Sequence, residues 1–161
     1  MKPFRHIGEA DKKPYHYTEC GLDDVYLMSG YEEMQVDDDV AVAVKHVSEL
    51  HKAIGHALVT AKKVLSGKEL RFLRKEMDLT QDEVARLVGV TDQSVARWEK
   101  DQTQIPEAVD YLLRFVYLQH IQENIHVVEL IESLRNMDSA RDERFCFKAS
   151  KGGWKECAGW R

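Results

Sequence analysis

The two side chains best suited to nucleic-acid chemistry are Gln93 and Arg97, which lie in one segment with helical periodicity. In the major groove of DNA a glutamine can form two hydrogen bonds with adenine, and an arginine can form two with guanine. Val95 and Trp98 recur at helical spacing in the same segment, so we expect them to face the protein interior. Gln93 and Arg97 are therefore predicted to point outward and to contact base edges.

Polar neighbours of these two residues extend the predicted contact surface. Asp92 and Ser94 are also left on the outward side, although Asp92 can instead interact with the helix N-terminus and its dipole. Thr91 can cap this helix, and we also place it among the phosphate contacts. Gln81 begins the preceding helix, where the side chain and the backbone N–H groups can hold a phosphate. The predicted base-reading residues are Asp92, Gln93, Ser94 and Arg97.

The preceding helix has its own start and end signals. Thr80 and Glu83 have the spacing of a capping box, in which each side chain accepts a hydrogen bond from the other residue's backbone, so a helix should begin just after Thr80. Gly89 can adopt the left-handed conformation that ends a helix at a tight turn. The buried side of this helix is expected to consist of Val84, Ala85, Leu87 and Val88.

The spacing of three residues predicts how these two helices meet. Helices that cross steeply through a short turn need a small residue where they touch, and Ala85 precedes Gly89 at the required distance. The second helix needs a branched apolar anchor after the turn, and Val95 provides it. With the two caps, these positions predict a helix-turn-helix from about Gln81 to Lys100. A two-helix packing unit without a DNA-binding role is the alternative.

The flanking segments divide the chain into three predicted regions. Residues 1–65 are expected to form a small α+β extension, in which short strands precede an amphipathic helix over 48–65. Residues 66–135 are expected to be helical almost throughout and to form the helix-turn-helix domain. Residues 136–161 are expected to be a tail with a short hairpin. The predicted fold class is therefore mainly α.

Local signals mark the boundaries within these regions. Ser48 can cap the helix of the extension, and Ser66 with Glu69 has the spacing of a second capping box. The acidic triplet 37–39 suits a turn between strands. The expected strand segments are 15–18, 25–28 and 40–44, and an antiparallel meander would join them.

The segment LTQDEVARLVGVTDQSVARWEK (79–100) looks like the helix-turn-helix of the Cro/cI (XRE) family, with its L-T-Q-x-x-x-A-x-x-x-G-V pattern and R-W-E ending. The resemblance extends over the flanking helices and implies a five-helix lambda-repressor-like domain that binds double-stranded DNA. By this resemblance Gln93, Arg97 and Asp92 match base-contacting positions. The implied phosphate-contacting loop after the recognition helix contains Lys100, Gln102 and Thr103.

The same resemblance assigns a structural role to two charged residues. Arg74 and Glu99 match a pair that, in relatives, forms an ion pair between the first and third helices of the domain. We therefore expect both side chains to support the recognition helix and not to contact DNA.

The upstream sequence also resembles a bacterial group related to MqsA-type antitoxins. The resemblance rests on YHYTECGLDDVYLMSGY, SELHKAIGHALV and LRFLRKEMDLTQ. In that group a zinc-binding N-terminal domain precedes such a helix-turn-helix. This chain departs from the pattern because it has no CxxC pair, so the resemblance does not extend to zinc.

Composition and charge limit the function classes. The chain is 43% hydrophobic and 32% charged, which is typical of a globular protein. Its formal net charge is −5, so attraction to phosphate must come from a local patch and should depend strongly on salt. No apolar run approaches the roughly 20 residues of a membrane span, and the start lacks the apolar core of a signal peptide. We therefore predict a cytoplasmic protein without membrane contact.

Metal binding and catalysis have weaker support in the sequence. The three cysteines are widely spaced, which argues against a disulfide framework and a four-ligand zinc site and fits a reducing compartment. His16 and Cys20 could supply two ligands, but no second pair accompanies them. Cys20 could be written into a catalytic triad, yet nothing positions its partners. We predict no cofactor, no metal and no enzymatic activity.

An apolar excess on one predicted helix indicates self-association. Its apolar residues exceed what one helix face requires, and such modules usually read two half-sites through two-fold symmetry. The residues concerned are Tyr111, Leu112, Phe115, Val116, Leu118 and Ile121. The aromatic residues of the tail, Phe145, Phe147, Trp154 and Trp160, are expected to belong to a core, with a partner-docking edge as the alternative.

Together these features predict a homodimeric, sequence-specific DNA-binding regulator, with repression as the default outcome. The alternative is an antitoxin that neutralises a partner toxin and uses DNA binding to regulate its own operon. A third hypothesis, a metal or redox sensor, requires bound metal or a thiol-dependent change in DNA affinity.

Overall fold

The computed structural model describes residues 13–124, 126–138 and 144–157. The helices in this part of the chain are α1 (Val47–Ala61), α2 (Gly67–Glu76), α3 (Gln81–Val88), α4 (Asp92–Glu99), α5 (Glu107–His120) and α6 (Val127–Arg135). The strands are β1 (Tyr15–His16), β2 (Val25–Leu27), β3 (Tyr31–Val36), β4 (Asp39–Val44), β5 (Phe145–Ser150) and β6 (Gly153–Glu156). The protein is thus rich in helix, with strands near both ends of the sequence.

The capping signals predicted from the sequence begin α2 and α3. Ser66 and Glu69 form a reciprocal capping box at α2, and Thr80 and Glu83 form one at α3. The prediction for α1 was wrong, because the residue before the helix is His46 and no side chain caps this end. His46 has a left-handed backbone (φ 49°), which turns the chain from β4 into α1.

The four-stranded sheet joins the two ends of the described chain. Its strand order is β1-β2-β5-β6, and β2 pairs with β5 in parallel while the other pairs are antiparallel. The predicted C-terminal hairpin therefore exists as β5–β6, and its first strand pairs with β2 of the N-terminal region. Phe145 and Phe147 lie in the main core and Trp154 packs against it, whereas Trp160 lies outside the described residues.

The β3–β4 ribbon is a separate two-stranded antiparallel sheet. Its turn falls at the acidic triplet as predicted, and Asp37 there has a left-handed backbone (φ 54°). The base of the ribbon is anchored by the buried Tyr31. Its distal half is exposed and includes Met34, Val36 and Val40. The single predicted meander is thus replaced by two sheets.

Two clusters of buried apolar side chains hold the helices. The larger cluster lies between α1, the four-stranded sheet and one side of α2, α5 and α6. The smaller cluster belongs to the helix-turn-helix and consists of Leu70, Val84, Ala85, Val95, Trp98 and Leu113. Five helices do occur between residues 66 and 135, but α6 packs against α1. The five-helix lambda-repressor-like arrangement and the domain boundaries at 65 and 135 remain predictions.

Most of the apolar excess on α5 is covered within the chain. Leu118 is buried in the larger cluster, and Tyr111, Phe115, Val116 and Ile121 pack against it. Leu112 remains exposed. On α3 the prediction for Leu87 was wrong, because 47% of this residue is exposed while Val84 and Ala85 fill the buried side.

Candidate nucleic-acid interface

The turn between α3 and α4 has the geometry that its sequence predicts. Gly89 ends α3 with a left-handed backbone (φ 76°), and the N–H of Val90 donates to the carbonyl of Ala85 over 2.9 Å. A side chain at Gly89 would meet nothing within 4 Å, so the backbone conformation is the reason for glycine here. Thr91 then caps α4 by accepting from the N–H of Ser94 at 3.3 Å.

The inner side of α4 packs tightly against α2 and α3 of the helix-turn-helix. Val95 is fully buried and Trp98 nearly so, in the same cluster as Ala85 of α3. Gly67 at the start of α2 lies against the last carbonyls of α4, where an added Cβ would be 2.3 Å from the Trp98 oxygen and 2.6 Å from the Glu99 oxygen. The recognition helix is therefore held from two directions, by α3 and by the N-terminus of α2.

The predicted ion pair between Arg74 and Glu99 is present. The Arg74 Nη2 atom donates to Glu99 Oε2 over 3.2 Å, and its Nε atom donates to Oε1. Arg74 also donates to the backbone oxygen of Leu79, which precedes α3. Gln81, predicted to contact phosphate, donates its amide to Glu99 Oε2 over 2.8 Å. This network joins α2, α3 and α4 beneath the predicted DNA-facing surface.

The outer side of α4 carries the predicted base-reading residues. Asp92, Gln93 and Arg97 are exposed, and Ser94 is half-buried. Asp92 Oδ1 accepts from the backbone N–H of Gln93 at 2.9 Å, so this carboxylate serves the helix N-terminus. The hydroxyls of Ser94 and Thr91 lie 3.1 Å apart and interact with each other. Gln93 and Arg97 are thus the residues of the set with the freest access to a groove.

The loop after α4 is exposed but anchored. Lys100, Gln102 and Thr103, all predicted to contact phosphate, are exposed to solvent. Between them Asp101 has a left-handed backbone (φ 55°), and its carboxylate accepts from the N–H of Gly67 over 2.8 Å. The N–H of Gln102 donates to the carbonyl of Arg97 over 2.9 Å. The loop is therefore fixed to both α2 and α4.

The charges on α4 follow its helix dipole. Asp92 lies in the first turn and Arg97 in the last, with Lys100 just beyond. A carboxylate is stabilised near the positive end of a helix and a cation near the negative end. The exposed cations Arg97 and Lys100 are therefore local positive charges on a chain whose net charge is −5.

Sequence reasoning missed the residues that join α1 to the helix-turn-helix. Arg114 is fully buried and donates to the backbone oxygens of Val59, Lys62 and Lys63 at the C-terminal end of α1. Its Nε atom also bonds Asp110, whose carboxylate accepts from the N–H of Leu65. An i, i+4 Asp–Arg pair was the available signal, but such pairs are usually exposed on helices.

The residues considered for metal binding have other partners. His16 stacks on Tyr26, with the ring centroids 4.6 Å apart, and Cys20 donates to the carbonyl of Tyr17. Burial raises the pKa of the Cys20 thiol. Within residues 13–124, 126–138 and 144–157, no three or more His, Cys, Asp or Glu side chains are grouped to hold a metal ion. Among these residues no helix has both the length and the apolar character to cross a membrane.

Comparison with known families identifies the module. Residues 70–109 match the family model described as "Helix-turn-helix", over about a quarter of the chain. Neither curated proteins nor solved structures yielded a match. The matched segment runs from α2 into α5 and contains the Gly89 turn and the whole of α4. The match therefore supports a helix-turn-helix over residues 70–109 and, with it, a DNA-binding transcriptional regulator.

Proposed function

We propose that the protein is a sequence-specific transcriptional repressor that reads DNA with α4. The observation that carries this proposal is that α4 has one buried apolar side and one exposed polar side. Val95 and Trp98 lock one side into the module, while Gln93 and Arg97 are exposed on the other. Side chains on a rigidly held helix can meet base edges at fixed positions, which is what discrimination between sequences requires.

The proposed contacts divide into base reading and backbone positioning. Gln93 and Arg97 read bases, with Asp92 and Ser94 beside them. Phosphate contacts fix the register of the protein on the duplex but carry no sequence information themselves. The proposed phosphate-contacting residues are Gln81, Thr91, Lys100, Gln102 and Thr103. Two hydrogen bonds support this assignment because they hold the loop in one place beside α4: the N–H of Gly67 donates to Asp101, and the N–H of Gln102 donates to the carbonyl of Arg97.

The repressor is proposed to act as a homodimer on a palindromic operator. Two copies related by a two-fold axis would place their α4 helices in major grooves about 34 Å apart, one helical turn of DNA. Exposed apolar side chains on the last two helices, Leu112, Val127 and Val128, are candidates for the contact between copies. A dimer bound over a promoter in the cytoplasm would block polymerase, without any enzymatic step or cofactor.

The experiment that tests this proposal is fluorescence anisotropy with a labelled duplex from upstream of the protein's own gene. A scrambled duplex of equal length and two salt concentrations serve as controls. Specific binding with a stoichiometry of two chains per duplex is the expected result. Equal, weak binding to both duplexes that vanishes with salt would contradict sequence-specific recognition of this DNA. Selection of bound fragments from the whole genome then tests whether the operator lies elsewhere.

The second candidate function is that of an antitoxin, which binds a partner protein and represses its own operon. The observation that favours it is the distal half of the β3–β4 ribbon, where Met34 and Val36 are exposed on one face, and Val40 is exposed on the other. Exposed apolar residues grouped on one element often mark a protein-binding surface. Co-purification with the product of a neighbouring small gene tests this function, and retention of that partner by a Met34→Asp, Val36→Asp variant would contradict a role for this face of the ribbon.

A further inference from the structure

The β5–β6 hairpin brings two cysteines face to face. Its register pairs Phe147 with Glu156, and continuing that register by one residue pairs Cys146 with Cys157. The N–H of Cys157 donates to the carbonyl of Cys146 over 2.7 Å, which confirms that the pairing continues. The two residues are therefore directly opposite, although their separation along the chain gives no sign of it.

This pairing has the geometry of a cross-strand disulfide. In an antiparallel ladder, residues opposite each other at a hydrogen-bonded position have Cα atoms about 5.5 Å apart and side chains on the same face. Disulfides commonly span a Cα separation of about 5.5–6 Å. Both cysteines are free thiols in this structure. No large backbone movement is needed to join them.

We infer that Cys146 and Cys157 form an oxidisable dithiol site that closes to an intramolecular disulfide on reaction with a peroxide. The inference does not depend on the proposed DNA-binding function. Cys157 is the half-exposed member and Cys146 is only 2% exposed, so the oxidant reaches Cys157 first. Cys20, on the segment after β1, is not part of the site.

The reaction balances in two steps. The Cys157 thiolate attacks hydrogen peroxide, which leaves a sulfenic acid on Cys157 and releases hydroxide. The Cys146 sulfur then attacks the sulfenic sulfur, a sulfur–sulfur bond forms, and the proton of Cys146 leaves with the hydroxyl group as water. The two thiols lose two electrons and two protons in total, and the peroxide is reduced to two waters. A small dithiol reverses the change by thiol–disulfide exchange.

The raised pKa of the Cys146 thiol favours Cys157 as the first cysteine to react with the peroxide. Burial, together with the hydrogen bond to Cys157, raises the pKa of the Cys146 thiol to about 12. Cys146 is therefore protonated at neutral pH and is a poor first nucleophile. Its role is to resolve the oxidised Cys157 that lies beside it.

A disulfide here would restrain a hairpin whose second strand contacts the segment just before α1. Trp154 of β6 donates its ring N–H to the carbonyl of Lys45, just before α1, over 3.1 Å. The same ring lies where a side chain on Gly30 would be, since an added Cβ there would be 2.4 Å from the Trp154 ring. Closing the hairpin at its open end holds this contact in place, so we expect slower hydrogen exchange in β6 after oxidation.

The test treats the reduced full-length protein with hydrogen peroxide and counts its thiols. Free thiols should fall from three to one, and non-reducing peptide mapping should show a Cys146–Cys157 link that dithiothreitol removes. Cys20→Ser is the matched control and should keep the link, whereas Cys157→Ser should lose it. Cys157→Ser is preferred to a change at the buried Cys146, which could disturb folding.

Three results would overturn the inference. They are an unchanged thiol count, a link that involves Cys20 or a second chain, and irreversible oxidation of Cys157 without a disulfide. Anisotropy with the proposed operator plays no part in this readout, so failure of the dithiol site and failure of the proposed function are distinguished.

Discussion

Arg74 and Glu99 connect the first helix of the module to the end of the recognition helix through a two-point contact. The guanidinium meets both carboxylate oxygens, with 3.2 Å between Nη2 and Oε2, and both side chains are largely buried. Glu99 also accepts from Gln81. The orientation of α4 thus depends on a carboxylate that never reaches the surface where DNA is proposed to bind.

Removing this carboxylate should destabilise the protein. Glu99→Ala leaves the Arg74 charge largely buried without its partner, and loss of one member of a buried pair costs about 3–5 kcal/mol. Urea unfolding monitored by circular dichroism gives the free energy of unfolding. Glu132→Ala, at an exposed position on α6, is the control and should change it by less than about 0.5 kcal/mol. Equal stability of the two variants would show that the pair contributes nothing to the fold.

Gly67 should not tolerate a methyl group. In Gly67→Ala the new Cβ would meet the carbonyl oxygens at the end of α4, and such overpacking costs roughly 1–3 kcal/mol. The displacement should also weaken operator binding, because α4 carries the proposed base contacts. Gly152→Ala is the matched control, since a Cβ there would meet nothing within 4 Å. A Gly67→Ala protein as stable as the Gly152→Ala protein would contradict the close approach of α2 and α4.

Arg97→Ala should weaken specific DNA binding without reducing the stability of the protein. Removal of a bidentate base contact costs about 1–3 kcal/mol of binding free energy and relaxes the preference at one base position. Anisotropy with single-base operator variants measures both effects. Lys52→Ala removes an exposed positive charge from α1, outside the matched segment, and should leave binding nearly unchanged. If the two variants bound the operator alike, Arg97 would not be a base-reading residue.

Replacing the buried Arg114 should strongly destabilise the protein. In Arg114→Met, the buried Asp110 and the carbonyl oxygens at the C-terminal end of α1 lose their hydrogen-bond donor, which costs about 3–5 kcal/mol. Arg114→Lys should recover only part of this, because an ammonium cannot reproduce the planar fork that reaches several acceptors. Thermal and urea unfolding report the loss, with the exposed Arg71→Met as the control. An unchanged midpoint in Arg114→Met would rule out this role.

The capping box of α3 should make a small, pH-dependent contribution to stability. Hydrogen bonds from the backbone and hydroxyl of Thr80 hold the pKa of Glu83 below its ordinary value. A carboxyl whose pKa is lower in the folded state adds stability above its unfolded pKa, and that stability is lost as pH falls through the folded pKa. Glu83→Gln should therefore be less stable than the parent at neutral pH, and this difference in stability should disappear as the pH falls through the folded-state pKa of Glu83. A difference in stability between the parent and Glu83→Gln that does not change with pH would argue against an ionised Glu83 in the capping box.

The parts of this structure that sequence reasoning predicted correctly depend on residues close together in the chain. The boxes of Ser66 with Glu69 and of Thr80 with Glu83 each involve two residues three positions apart. Gly89 acts through its own backbone. Because these interactions form within one helical turn, their residue types and spacing predict them directly. The helix-turn-helix and the exposure of Gln93 and Arg97 on α4 follow from such local patterns.

The features that depend on contacts between segments far apart in the sequence were decided only by the tertiary structure. The parallel pairing of β2 with β5 joins strands more than a hundred residues apart, and no local pattern specifies which strand edge β5 will meet. The same pairing helps to build the core that covers most of α5, and the hairpin register places Cys146 opposite Cys157. Burial of Arg114 likewise exists only where α1 and α5 pack together. Helical periodicity and caps are set by neighbours in sequence, whereas burial and pairing are set by which surfaces the folded chain brings into contact.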